Sequence, residues 1–159
     1  MKVLIIRHSS AVDPYEAPSD ELRWLTEEGR RRMRTVSAEL SRHAQPTAIF
    51  TSPLTRAVQT AEILASVAAF DGPLVVHPPL AADYGTTAQA LSVLERACDD
   101  DTVAIVSHAP KVRVLAGHLA GEPRMPAFRT GAICLVEDGA FRWMLSPDPI
   151  GLITDLDEA

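Results

Sequence analysis

The sequence predicts an α/β domain of three layers: a mainly parallel central sheet, helices on both of its faces, and an antiparallel hairpin at the C-terminal end. Three observations carry that reading. Short β-branched and aliphatic runs alternate with segments of helical length. Helix-start signals stand directly after strand runs. The last two strand runs are divided by Glu137-Asp138-Gly139, whose Asp-Gly step favours a hairpin.

Lys2–Arg7 (KVLIIR) is a continuous apolar run of the kind that fills a strand buried on both faces. A loop rich in Pro, Ser and Asp leads to Thr26, which can cap a helix carrying Glu27 and Glu28 in its first turn, where carboxylates suit the positive end of the helix dipole. That helix is predicted to run to about Arg42, although Gly29 stands where a capping box would place Glu or Gln. Its Arg30, Arg31, Arg32 and Arg34 have no interleaved aromatics and read as a solvated face. Residues 47–51 form the second strand, and Ser52-Pro53 supplies an N-cap and a first helical residue for a helix to about Ala69. A third strand over 74–77, a helix from Thr86 to about Cys98 and a fourth strand over 102–106 follow. Ala109-Pro110 opens a helix to about Leu119, and residues 131–136 and 140–145 form the hairpin.

With 159 residues, 47% hydrophobic and 23% charged, the chain can bury one good core and is short for two ordinary domains. Fifteen Lys and Arg against twenty-one Asp and Glu give a net charge of -6, which argues against a nucleic-acid partner held by phosphate neutralisation. No apolar run approaches the roughly 18 to 20 residues that cross a bilayer, so neither a membrane span nor a signal peptide is expected. Cys98 and Cys134 lie far apart with no metal-ligand spacing. They read as reduced thiols of a cytoplasmic protein.

Ligands of open α/β sheets collect beyond the carboxyl ends of the strands. Three unusual polar groups fall there: Arg7-His8 after the first strand, Ser52 and Arg56 after the second, and Ser107-His108 after the fourth. Each alone is weak. Two arginines and two histidines on one rim, beside helix N-termini, make a cationic pocket in an acidic protein, and phosphate is its natural guest.

These residues carry a resemblance. Arg7-His8-Ser9, residues 51–61 (TSPLTRAVQTA) and Val106-Ser107-His108 resemble the histidine phosphatase superfamily, the phosphoglycerate-mutase-like group, over nearly the whole chain. Leu25-Thr26-Glu27-Glu28-Gly29 and Trp143-Met144-Leu145-Ser146-Pro147 look most like its small SixA-type phosphohistidine phosphatases. The resemblance implies one domain over 1–159 without the large cap that bigger relatives insert where this chain has only about residues 69–73, and hence a shallow, open pocket.

It also implies roles. His8 would attack phosphorus and form a phosphohistidine intermediate that water hydrolyses. Arg7 and Arg56 would hold the phosphoryl oxygens, and His108 would add a donor in the transition state. The scheme needs neither metal nor cofactor. Ser9 replaces the family glycine and is expected to narrow the pocket, to shift His8, or to donate a hydrogen bond to phosphate. Asp83 is the one carboxylate in the segment where larger relatives place a general acid, and it reads equally well as a turn or helix-entry residue. His43, His77 and His118 are expected to be structural, Trp24, Trp143 and the methionines to pack, and residues 99–101 to form a solvated turn.

The expected partner is a phosphorylated protein such as a phosphorelay histidine domain. The alternatives are a small phosphorylated metabolite and a phosphate-binding module without catalysis. Retention of Arg7, His8, Arg56 and His108 together argues against the last.

Overall fold

Burial explains where the strands lie. In the computed structural model, which describes residues 1–158, β1 (Lys2–Arg7) has its four inner residues buried, and β4 (Thr102–Ser107) is buried throughout. The two pair in parallel at the middle of a seven-stranded sheet. Alternate side chains of a strand point to opposite faces. Leu4, Ile6, Ala104 and Val106 therefore enter one core, and Val3, Ile5, Val103 and Ile105 the other.

Helices α1 (Glu27–Leu40) and α2 (Thr55–Val67) close the first core with Met33, Val36, Leu40, Ala57, Ala61 and Leu64. On the opposite face, the short α3 (Thr87–Leu91) and α4 (Lys111–Ala120) contribute Ala90, Val112, Leu115 and Ala116. Each fully buried Leu or Ile stabilises the fold by roughly 1.5–3 kcal/mol relative to exposure. The remaining strands are β2 (Ala48–Thr51), β3 (Leu74–Val76), β5 (Ile133–Glu137), β6 (Ala140–Pro147) and β7 (Ile150–Ile153). Their order is β3-β2-β4-β1-β5-β6-β7. The first four in that order are parallel, and β5, β6 and β7 form an antiparallel meander.

This is the three-layer α/β architecture that the sequence predicts, with local differences. Strand β7 extends the hairpin; three of its four residues are exposed, so it lacks the alternation that marks a half-buried strand. The helix expected over 86–98 stops at Leu91 and tightens into a 3-10 turn over Ser92–Arg96. The Gln89 carbonyl at that point accepts from Ser92 Oγ at 2.7 Å and from the His77 ring at 2.8 Å, an alternative to continuing the α-helical ladder. Trp24 is 38% exposed rather than packed.

Gly29 has a specific reason. A Cβ there would collide with the Ser10 carbonyl, which also accepts from the Thr26 backbone at 3.0 Å. The start of α1 therefore sits directly against the segment that follows β1, and the residue that spoils a capping box is the one that permits this approach. Among the described residues no helix is long and apolar enough to cross a membrane.

Candidate active site

Strand register brings the site together. Arg7 lies opposite Ser107, and Thr51 opposite Val106, so the carboxyl ends of β1, β4 and β2 are level. The ladder continues past the strands: His8 donates its backbone N–H to Ser107 at 3.0 Å, and Ser52 donates to Val106 at 2.9 Å. Arg56 follows in the first turn of α2. A cavity of about 410 Å³ opens at this level, walled by Arg7, His8, Arg23, Arg56 and His108, with Ser10, Ala11, Ala82, Ala109 and Thr130 completing its lining.

His8 is 9% exposed, and its Nδ1 lies 2.6 Å from the Ser9 carbonyl. A carbonyl only accepts, so Nδ1 carries the proton and Nε2 of the neutral ring keeps its lone pair. Burial, followed by the charges of Arg56, Arg7 and Arg23, pushes the His8 pKa down to about 4, against the opposing bond to Ser9. The ring is therefore neutral at pH 7. His108, 2% exposed, has its centroid 5.0 Å from that of His8. Burial first, then His8 and Arg56, lowers its pKa to about 3, with Asp20 opposing.

The arginines are held from outside the cavity. Arg7 Nη1 donates to the Phe128 carbonyl at 2.7 Å. Arg56 Nη1 donates to the Asp20 carbonyl at 2.8 Å, and its Nη2 to the Asp20 carboxylate at 3.3 Å. Arg23 reaches the other oxygen of that carboxylate at 3.1 Å and fixes Nε on the Val12 carbonyl at 2.8 Å. Burial lowers the Arg7 pKa, but a guanidinium starts so high that it stays charged. Three guanidinium groups thus line one cavity, and the Asp20 carboxylate partners two of them, those of Arg23 and Arg56. Arg7 Nε, Arg56 Nε and His108 Nδ1 are buried without a hydrogen-bond partner among the described residues, a costly condition for polar atoms and one that suits a site built around an oxyanion.

Arg7, His8, Arg56 and His108, the four residues marked by the sequence, thus line one cavity. Ser9 does not join them. Its hydroxyl is fully buried and donates to the Gly29 carbonyl at 2.7 Å, while its backbone N–H donates to Thr60 Oγ1 at 3.0 Å. The expected hydroxyl contact with phosphate is corrected accordingly: Ser9 fastens α1 and α2 behind His8. Asp83 is exposed and outside the lining, although its neighbour Ala82 belongs to it. Lys111 lies near Asp83 and donates to the carbonyls of Pro79, Ala81 and Tyr84, pinning that loop to α4.

Arg32 also departs from its expected solvated face. It is half-buried and donates to Ser10 Oγ at 3.3 Å and Thr130 Oγ1 at 3.2 Å, two lining residues. Sequence reasoning missed Asp20 and Arg23. Asp20 opens a single 3-10 turn (Asp20–Leu22) and Arg23 closes it, a segment too short for a helical or strand period to mark a position, and only a charged pair in a Pro- and Ser-rich segment could have drawn notice. Among the described residues no cluster of three His, Cys, Asp or Glu is placed to hold a metal.

The family description that matches this chain, over residues 3–87, is the histidine phosphatase superfamily (branch 1), and the chain belongs to that superfamily. Phosphohistidine phosphatase SixA of Escherichia coli (strain K12) is 30% identical over 155 residues, covering 92% of this chain and 94% of the relative. The structure of the protein histidine phosphatase SixA complexed with tungstate superposes with a TM-score of 0.82 at 30% identity, over 94% of this chain and 99% of the other. A mycobacterial glucosyl-3-phosphoglycerate phosphatase shares the fold, with a TM-score of 0.64 at 15% identity over 97% of this chain and 96% of the other.

Proposed function

We propose that this chain is a phosphohistidine phosphatase that removes the phosphoryl group from a histidine of another protein through a phosphorylated His8. The observation that carries the reading is the state of His8. Its Nδ1 is committed to the Ser9 carbonyl, so the free lone pair is on Nε2, in a cavity walled by three guanidinium groups. Similarity to the Escherichia coli phosphohistidine phosphatase supports the substrate class, and a bound tungstate in the related structure supports a tetrahedral oxyanion as the cavity's guest.

In the first step Nε2 of His8 forms a bond to phosphorus while the P–N bond to the substrate imidazole breaks. The leaving imidazole departs neutral, with its proton already in place. Arg7 and Arg56 neutralise the equatorial oxygens, and His108 donates as charge spreads over them. Water then attacks the phosphorus on His8, inorganic phosphate leaves, and the neutral imidazole is regenerated. Because protonated imidazole leaves easily, the reaction does not depend on a carboxylic acid in the position of Asp83. The scheme likewise places every stabilising charge on side chains and calls on no metal.

An open site favours a protein substrate. Only residues 68–73 connect α2 to β3, so we read the chain as a single histidine phosphatase domain without a large cap. The test is a panel of a phosphohistidine-bearing phosphorelay domain, small phosphorylated metabolites and an aryl phosphate, each with the wild type and His8→Ala. Preference for the protein substrate supports the proposal; preference for a metabolite replaces it with a small-molecule phosphatase.

A further inference from the structure

We infer that Ser52 is a positioning residue that sets the tautomer of His108, so that a donor rather than a lone pair is presented to the phosphoryl group. The protons around Ser52 can be assigned one by one. Ser52 is fully buried, and its Oγ has two partners among the described residues: the Leu54 backbone N–H at 3.2 Å and His108 Nε2 at 2.7 Å. The Leu54 N–H can only donate, so it occupies a lone pair of Oγ. The hydroxyl proton of Ser52 then has one acceptor within reach, His108 Nε2. An Nε2 that accepts carries no proton of its own, and the single proton of a neutral imidazole must sit on Nδ1.

His108 Nδ1 is the ring atom that is buried without a partner among the described residues. As a lone pair it would repel an oxyanion; as N–H it is a donor with its bond still to make. The low pKa of His108 keeps the ring singly protonated at pH 7, so the choice of tautomer decides everything the ring can offer.

The arrangement makes the two histidines opposites, 5.0 Å apart at their centroids. At His8 a carbonyl draws the proton to Nδ1 and leaves a nucleophilic lone pair on Nε2. At His108 a hydroxyl occupies Nε2 and leaves a proton on Nδ1. Two chemically identical rings thus take the roles of nucleophile and donor because their neighbours differ. Helix α2 begins at Thr55 with Leu54 as its cap rather than at Pro53, and the Leu54 N–H takes only a lone pair of the Ser52 hydroxyl, so the proton stays available for His108.

The catalytic consequence rests on the proposed phosphatase reading, whereas the tautomer does not, so the test has two arms. In the first, the full chain is labelled with 15N-histidine, and long-range correlation spectra at pH 7 report which His108 nitrogen is protonated, assigned with His108→Asn. Protonated Nδ1 and unprotonated Nε2 in the wild type, retained in Ser52→Thr and mixed in Ser52→Ala, is the expected result. A protonated Nε2 in the wild type overturns the inference and leaves the phosphatase reading standing. In the second arm, Ser52→Ala is expected to lower kcat with phosphohistidine by between about 10-fold and the roughly 100-fold that follows loss of an oxyanion donor, with KM nearly unchanged and activity recovered in Ser52→Thr. Wild-type kcat retained in a folded Ser52→Ala overturns the catalytic role. A wild type that hydrolyses no phosphoester or phosphohistidine, with the tautomer as expected, overturns the functional reading alone.

Discussion

Acidifying the protein from pH 7 to pH 4 should expose the cost of keeping two neutral histidines under the phosphate cavity. Unfolded, each imidazole titrates near 6.5; folded, His8 is held down to about 4 and His108 to about 3. Between pH 6.5 and 4 the unfolded chain therefore binds more protons than the native one, and stability falls as pH falls, by about 1.4 kcal/mol per pH unit for each group. Over that window His8 alone contributes a loss on the order of 3 kcal/mol, and His108 a similar loss. Their sum is a large part of the roughly 5–15 kcal/mol that holds a typical domain together. Both rings are at most 9% exposed, so solvent does little to screen the effect.

Carboxylates act elsewhere on the pH scale. Asp20 is lowered from the ordinary value of 3.8, chiefly by its bond to Arg23, and its contribution is lost only as pH drops below that value. Urea denaturation at half-unit steps between pH 7 and 4, alongside histidine proton titration by NMR, measures the prediction. His8→Asn/His108→Asn should flatten the slope across this window. Rings that titrate near 6.5 in the folded protein, or an unchanged slope in the double variant, would refute burial and arginine charge as the forces that hold the two imidazoles neutral.

Other outcomes follow from the same geometry. Rapid acid-free quenching with labelled phosphohistidine should leave base-stable, acid-labile label on the wild type and none on His8→Ala, and EDTA should leave turnover unchanged; label on the variant, or activity that needs added magnesium, contradicts the scheme. Gly29→Ala should destabilise the fold by roughly 1–3 kcal/mol in thermal or urea unfolding, because its Cβ meets the Ser10 carbonyl directly behind the nucleophile. Asp83→Asn, at an exposed position outside the cavity lining, should leave phosphohistidine turnover within about twofold; a loss near the roughly 100-fold typical of general acid catalysis, measured in single turnover, would return Asp83 to the chemistry.

The three guanidinium groups also bear on how the site stays cationic without crowding bare charges together. Asp20 offers Arg56 and Arg23 a carboxylate partner at the cavity edge, so part of their charge is already balanced in the folded protein. Among the described residues Arg7 has a backbone carbonyl as its side-chain partner and contributes its charge to the cavity in full. A dianionic phosphoryl group meets an excess of positive charge without requiring three bare guanidinium groups to crowd together.

Much of this protein was determined locally, and local determinants are readable in a sequence. Buried runs such as KVLIIR, the Thr26 cap with Glu27 and Glu28 behind it, and the Asp138-Gly139 turn each act within a few residues, so the order of strands and helices follows from them. The carboxyl-end rule for open sheets then gathers Arg7, His8, Arg56 and His108 without any coordinates. What the tertiary structure decided are the side-chain partners. Ser9 turns its hydroxyl to Gly29 because α1 packs against that spot; Arg23 and Asp20 enter the site because the 3-10 turn over Asp20–Leu22 folds back onto α2; Ser52 serves His108 because β2 and β4 are in register. Each of these depends on the distance between atoms that lie 20 to 56 residues apart in the chain. Local periodicity carries no such distance, and packing alone sets it.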